Sequence, residues 1–273
     1  MKAIVSTTYS DTYLFFLPII TWCCNKLGVE VILFSPDITD TKRLFDEMGK
    51  MTWQKSRLIS TVIANNNLKL TGYYFKCPEH KEATYAQCAR LYAAAIKDLQ
   101  EDELLVTSDV DMALFHIPPF DNSVTIFGSD LVPGGQYPIC YATATVKDWR
   151  SAMKIGDKTY QQCLDELLGD VEAEHFRGNY WGKDQETLWQ NTCDVSVLIP
   201  RARPQTQFAS NRIDRDDAYW RERLTPDVFD AHLWRPGFEE SNFNNILELL
   251  RYFYPNDDFT WLINYKNDYM NLL

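Results

Sequence analysis

The sequence predicts an α/β chain with a mostly parallel central sheet flanked by helices. Three observations carry that reading. Ala3 to Ser6 opens a strand, and helical and then strand-like residues follow; this order requires a crossover and gives a parallel pair. The run Leu104-Leu105-Val106-Thr107-Ser108-Asp109-Val110-Asp111-Met112 is apolar at its start and ends in two carboxylates one residue apart, as a buried strand does when it reaches a functional edge. The 273 residues, 45% hydrophobic and 24% charged, are enough for one large α/β domain or two small ones with a substantial core.

The elements follow in order. After the first strand comes the polar turn Thr7-Thr8-Tyr9-Ser10, with Asp11 as a helix N-cap. Tyr13 to Lys26 is predicted as a helix stopped by Gly28, with Pro18 disturbing its first half. Val29 to Phe34 is the second strand. Asp40 to Lys50 and Thr52 to Asn67 read as helical, and Leu68 to Phe75 as a strand broken by Cys77-Pro78. Lys81 to Leu99 is an alanine-rich helix with Tyr85, Ala89, Tyr92 and Ile96 at helical spacing, and it feeds the strand expected to end at Asp109. Short strands are expected at Val124 to Phe127, Pro138 to Thr143 and Val195 to Ile199, with helical segments from Thr145 or Lys147 to about Gly169. Asp184-Gln185-Glu186 reads as a helix start with Asp184 as N-cap. Arg201 to Asp230 is charged and weakly periodic, Ala231 to Gly237 reads as turns, and Glu239 to Phe253 as the last helix before an aromatic tail.

Composition narrows function. A formal net charge of −11 excludes a general nucleic-acid binder, whose footprint is a basic patch. The 8 Trp, 15 Tyr and 15 Phe exceed the needs of a core this size, so some are expected to line a groove. Seven cysteines, an odd number without regular spacing, point to a reducing compartment and a cytoplasmic protein. The start of the sequence carries no cleavage signal. Leu14 to Cys24 is about half the length of a membrane span, so none is expected.

The chemistry is expected at Asp109 and Asp111. Residues i and i+2 of a strand share a side, so both carboxylates aim at one point past the strand end. Two convergent carboxylates are costly without a cation between them, and Mg²⁺ or Mn²⁺ suits such a site while leaving positions for water or phosphate oxygens. A solvated turn is the competing reading. Asp214, Asp216 and Asp217 form a second acidic group, read as a solvated face because no strand leads into it.

Taken together, the opening strand with its Thr7-Thr8-Tyr9 turn, Asp109-Val110-Asp111, Asp184-Gln185 about seventy residues later, and His232 near the C-terminus resemble the GT-A fold of nucleotide-sugar-dependent glycosyltransferases. The resemblance covers most of the chain. It implies one Rossmann-type domain over residues 1–273, with a nucleotide-binding half to about residue 111, an acceptor-binding half beyond it, and a small additional sheet near the acceptor side. It also implies a UDP-sugar donor, a carbohydrate or glycoconjugate acceptor, and Mn²⁺ or Mg²⁺ on the diphosphate. Asp111 would ligate the metal directly, Asp109 would share that task or bond the ribose, and His232 would complete the shell and favour Mn²⁺. Thr7, Thr8, Tyr9, Arg90 and Val110 would hold the nucleotide, and Trp181 and Gln185 the acceptor or sugar. Lys183 or Arg235 would add positive charge. Asp184 is the expected general base of an inverting reaction, only slightly favoured over a retaining one in which it orients the sugar; as a plain helix cap it would do neither. Two other classes compete. A nucleotidyltransferase or sugar-phosphate pyrophosphorylase would carry a Gly-rich basic loop after the first strand, where this chain has Thr7-Thr8-Tyr9-Ser10. A carbohydrate-binding module would use the aromatics and no metal.

Overall fold

A computed structural model describes residues 1–37, 47–78, 81–121, 123–129, 134–169, 182–200 and 211–273. The chain forms β1 (Lys2–Ser6), α1 (Asp11–Leu14), α2 (Leu17–Lys26), β2 (Glu30–Pro36), α3 (Glu47–Asn65), β3 (Leu70–Phe75) and α4 (Glu82–Ala89). Then come β4 (Leu104–Thr107), β5 (Met112–Leu114), β6 (Thr125–Phe127), β7 (Ala142–Thr145), α5 (Val146–Ala152), α6 (Tyr160–Leu168) and α7 (Lys183–Thr192). Last are β8 (Val197–Ile199), β9 (Arg212–Asp214), β10 (Asp230–His232), α8 (Glu240–Phe253) and α9 (Thr260–Met270). The order β3-β2-β1-β4-β7-β6-β8 gives a seven-stranded, mostly parallel sheet, and β5-β10-β9 forms a small second sheet. Both expected sheets are present.

The parallel pairs β3-β2-β1-β4 follow from the crossovers; β1, β2 and β4 are largely buried, as strands with covered faces are, whereas the edge strand β3 is exposed over much of its length. The first helix is divided: Pro18 lacks an N–H, so it fits the first turn of α2 and not the interior of one long helix. Phe15, at the break, stacks on Tyr265 and meets Phe16, Phe238, Phe243 and Tyr269 edge-on. Gly237 makes that cluster possible, since a Cβ there would lie 2.6 Å from the Phe16 ring. The aromatic tail is α9, tied back by Tyr265 Oη donating to the Phe15 carbonyl (3.1 Å) and Tyr269 Oη to that of Asp11 (3.1 Å).

Several expectations need correction, among them the N-cap of α1, which is Ser10 with Asp11 as the first helical residue, and the last helix, which is α9 and not Glu239 to Phe253. β4 stops at Thr107, so Asp109 and Asp111 do not extend a strand; they lie in the turn to β5, closed by Met112 N–H on the Asp109 carbonyl (3.2 Å). The Lys81 to Leu99 helix is shorter: after α4 it tightens into 3₁₀ geometry over Arg90–Ala95, with Tyr92 at φ −111°. The strand expected at Pro138 begins at Ala142. Ala231 and His232 belong to β10 and not to a turn, because Asp230, Ala231 and His232 pair with β5 on one side and β9 on the other. Much of the helix expected from Asp40 to Lys50 lies outside the described residues.

Candidate functional site

The pocket forms where β1 and β4 end, between α4, α7 and the end of the small sheet. Its volume is about 300 Å³, at the lower limit of ordinary ligand pockets. β1 delivers Thr7 and Thr8. The Thr7 N–H extends the ladder to the Phe34 carbonyl (3.0 Å), and its Oγ1 donates to the Thr8 carbonyl (2.9 Å). Both threonines line the pocket, whereas Tyr9 does not: its hydroxyl is turned to the Pro36 carbonyl (2.9 Å). The face of α4 toward the pocket is Ala83, Ala86 and Gln87, continued by Arg90; two alanines leave the space that longer side chains would fill.

Arg90 joins the two halves of the site. Its side chain is buried, donates to the Ser108 carbonyl (2.9 Å) and Asp184 Oδ2 (2.8 Å), and pairs with Asp109. Two carboxylates beside it hold the guanidinium charged against the desolvation that opposes charge. Asp109 is half-exposed at the pocket edge. Desolvation pushes its carboxyl up, but Arg90 and the Cys140 thiol outweigh that, and the net direction is down. Cys140 donates to Asp109 Oδ2 (3.1 Å) and accepts the Asp109 N–H (3.1 Å), so it fixes both side chain and backbone. Nothing in the sequence marked Cys140.

Asp184 is the second residue of α7, and Gly182 occupies the N-cap position without a side-chain cap; the expected cap role is therefore corrected. Only 2% exposed, Asp184 has both oxygens engaged, Oδ1 by the Gln185 N–H (2.9 Å) and Oδ2 by Arg90. Burial pushes its carboxyl above the usual range, and Arg90 offsets this only in part. Gln185 lines the pocket, and its carbonyl accepts the Tyr137 N–H (3.1 Å). Trp181 lies outside the described residues.

Asp111, also nearly buried, meets two guanidinium groups and an imidazole at Oδ2: Arg215 Nη1 (3.0 Å), Arg235 Nε (3.4 Å) and His232 Nε2 (3.2 Å). Register brings them together. His232 pairs with Met112 across β10–β5 and with Asp214 across β10–β9, so Asp111, Arg215 and Arg235 all sit at one end of the small sheet. Arg235 is further anchored on the ring and hydroxyl of Tyr13. Arg215 and Tyr13 are pocket residues the sequence did not single out. Asp214, Asp216 and Asp217 are engaged locally, Asp217 by Arg223 (2.7 Å) and Asp214 by the Asp216 N–H (3.1 Å). Lys183 pairs with Glu186 (3.4 Å) and does not line the pocket.

Among the described residues no group of three or more His, Cys, Asp or Glu side chains is arranged to hold a metal ion. Asp111 and His232 could contribute two donors to one. Asp111 Oδ2 and His232 Nε2 are 3.2 Å apart. Two ligands at right angles, each about 2.1 Å from a cation, would be separated by about 3 Å. Asp109 is instead committed to Arg90 and Cys140. Among the described residues no helix is long and apolar enough to cross a membrane.

No family model matches the chain, and no curated protein matches it. The solved structure of the apo-form glycosyltransferase GlyE of Streptococcus pneumoniae TIGR4 aligns with 99% of this chain and 63% of its own, at 13% identity and a TM-score of 0.51, which shows a shared fold. A galactosyltransferase, LgtC, solved in complex with donor and acceptor sugar analogs, aligns over 91% of this chain and 95% of its own at 11% identity. Its TM-score of 0.48 is too low to add to that.

Proposed function

We propose that this chain, whose fold is shared with a glycosyltransferase, transfers a sugar from a UDP-linked donor to a hydroxyl of a carbohydrate or glycoconjugate. The observation that carries the reading is one pocket at the carboxyl ends of parallel strands in which Asp109, Asp111 and Asp184 meet Arg90, Arg215, Arg235 and His232. Ligands of open α/β sheets bind at that edge, and a mixed cationic and carboxylate lining suits a diphosphate joined to a polyol.

Each residue has a task in this reading. Thr7, Thr8 and the alanine face of α4 border the space for the nucleoside, and Val110 closes it beside the aspartates. Asp111 and His232 are the residues that would hold Mn²⁺ or Mg²⁺, the imidazole favouring Mn²⁺. The chemistry such a cation supplies is Lewis-acid stabilisation of the charge that develops on the departing diphosphate. Asp109, fixed by Arg90 and Cys140, faces the ribose or sugar hydroxyls. A cytoplasmic location is part of the proposal and rests on cysteine usage alone.

One observation favours the retaining reading over the inverting one. Asp184 accepts hydrogen bonds on both oxygens, so it is placed to orient a sugar more than to take the acceptor's proton. The test is UDP release from a panel of UDP-sugars with Mn²⁺ and simple glycoside acceptors, followed by the anomeric configuration of the product by NMR. The reading expects release from at least one donor and retained configuration. No release from any donor opposes the transferase reading, and an inverted product returns Asp184 to the role of base.

A further inference from the structure

We propose that Arg215 is a ligand for the donor's diphosphate, held on Asp111 until the nucleotide arrives. This rests on the nucleotide-sugar reading and extends it to a residue outside the expected set.

Arg215 follows β9 directly, and the parallel register that sets Asp214 beside His232 fixes where it stands. Its side chain is mostly buried, lines the pocket, and has Asp111 as its ion-pair partner among the described residues. Charge makes that partnership incomplete. Arg215 and Arg235 both approach Asp111 Oδ2, so two positive charges face one negative charge. The surplus is one full charge around Asp111 itself, offset only at the far side of the pocket, where Asp109 and Asp184 share Arg90. A phosphate oxygen would take the second guanidinium with the charge-assisted, forked geometry that arginine offers.

Two neighbours separate Arg215 from a purely structural arginine. Arg212, three residues earlier, has a carboxylate of its own in forked geometry: Nε and Nη2 reach Asp230 Oδ1 (3.0 Å) and Oδ2 (2.8 Å), and Asp230 is fully buried. Arg235 has a second anchor on Tyr13. Among the described residues Arg215 shares its one carboxylate with Arg235 and has no aromatic seat, so it is the guanidinium that can exchange Asp111 for phosphate. The exchange would also uncover the Asp111 oxygen that a cation takes. Arg215 thereby couples nucleotide arrival to cation binding.

The experiment is calorimetric titration of the full chain with UDP, inorganic pyrophosphate and uridine, each with Mn²⁺ and with EDTA. It compares wild type with Arg215→Met, which keeps length without charge, and Arg215→Lys. Thermal melts show that the variants are folded. Arg215→Met is expected to weaken UDP and pyrophosphate by about 10-fold or more, with uridine unchanged and Arg215→Lys in between. UDP affinity within about twofold of wild type in Arg215→Met overturns the inference while leaving the nucleotide-sugar reading in place. Equal loss for uridine and UDP also overturns it, since that is the mark of a damaged pocket. Absence of UDP binding by the wild-type chain overturns both.

Discussion

Asp109 and Asp184 share Arg90 yet are pushed in opposite directions. The Asp109 carboxyl sits below its ordinary range, so its stabilising contribution is present above about pH 4 and lost as pH falls further. Asp184 is raised by burial, so its contribution is present below about pH 4 and lost as pH rises through its folded value. Urea melts between pH 3 and 7 should therefore show the advantage of wild type over Asp109→Asn shrinking in acid, and its advantage over Asp184→Asn shrinking toward neutrality. Slopes of one sign would refute the assignment. Asp184→Asn should also spare UDP affinity while reducing transfer at least tenfold; normal transfer would remove Asp184 from the chemistry. That Asp109, Asp111, Asp184 and His232 would line one pocket was legible in their order and spacing. Alternation along a strand does not place the two aspartates, because both lie beyond the end of β4. Cys140 and Arg215 were illegible because only tertiary approach brings them to the site.

The small sheet illustrates the same division among elements. Its strands are three residues each, too short for periodicity to announce, and β9 lies in a stretch that reads as a solvated charged face. Yet β10 carries His232 and aligns Asp111, Arg215 and Arg235. What holds that alignment is the Arg212–Asp230 pair behind the site. Burial desolvates both partners, and the matched charges keep Arg212 protonated against it. Removing one partner leaves a buried charge alone, so Asp230→Ala is expected to cost about 3–5 kcal/mol in chemical unfolding. A cost below about 1 kcal/mol would show that the sheet is held by other contacts. The crossovers β1 to β2 and β2 to β3 were readable, because long apolar runs and intervening helical stretches leave few alternatives.

Across the whole molecule, the C-terminal helices close the fold onto its first turn. Phe15 lies between the split first helix and α9, so sequence positions 250 apart meet through Tyr265. Phe15→Ala should cost about 3–5 kcal/mol and lower the melting temperature of the entire chain in one transition. Loss of a separate, early transition would instead mark α9 as an independent unit. The same closure sets α1 and Tyr13 against Arg235, which links the terminal helices to the pocket. Across the whole pocket three aspartates face three arginines, with the positive surplus local to Asp111; in the proposed reading a cation alone would gain little there and a nucleotide diphosphate would supply further ligands for it. Thermal melting with UDP, with Mn²⁺, and with both tests this most directly. At about a hundredfold excess over Kd the account predicts a rise of roughly 5–10 °C with both together, little with either alone, and none in Asp111→Ala. An equal rise with UDP in EDTA that survives Asp111→Ala would contradict it.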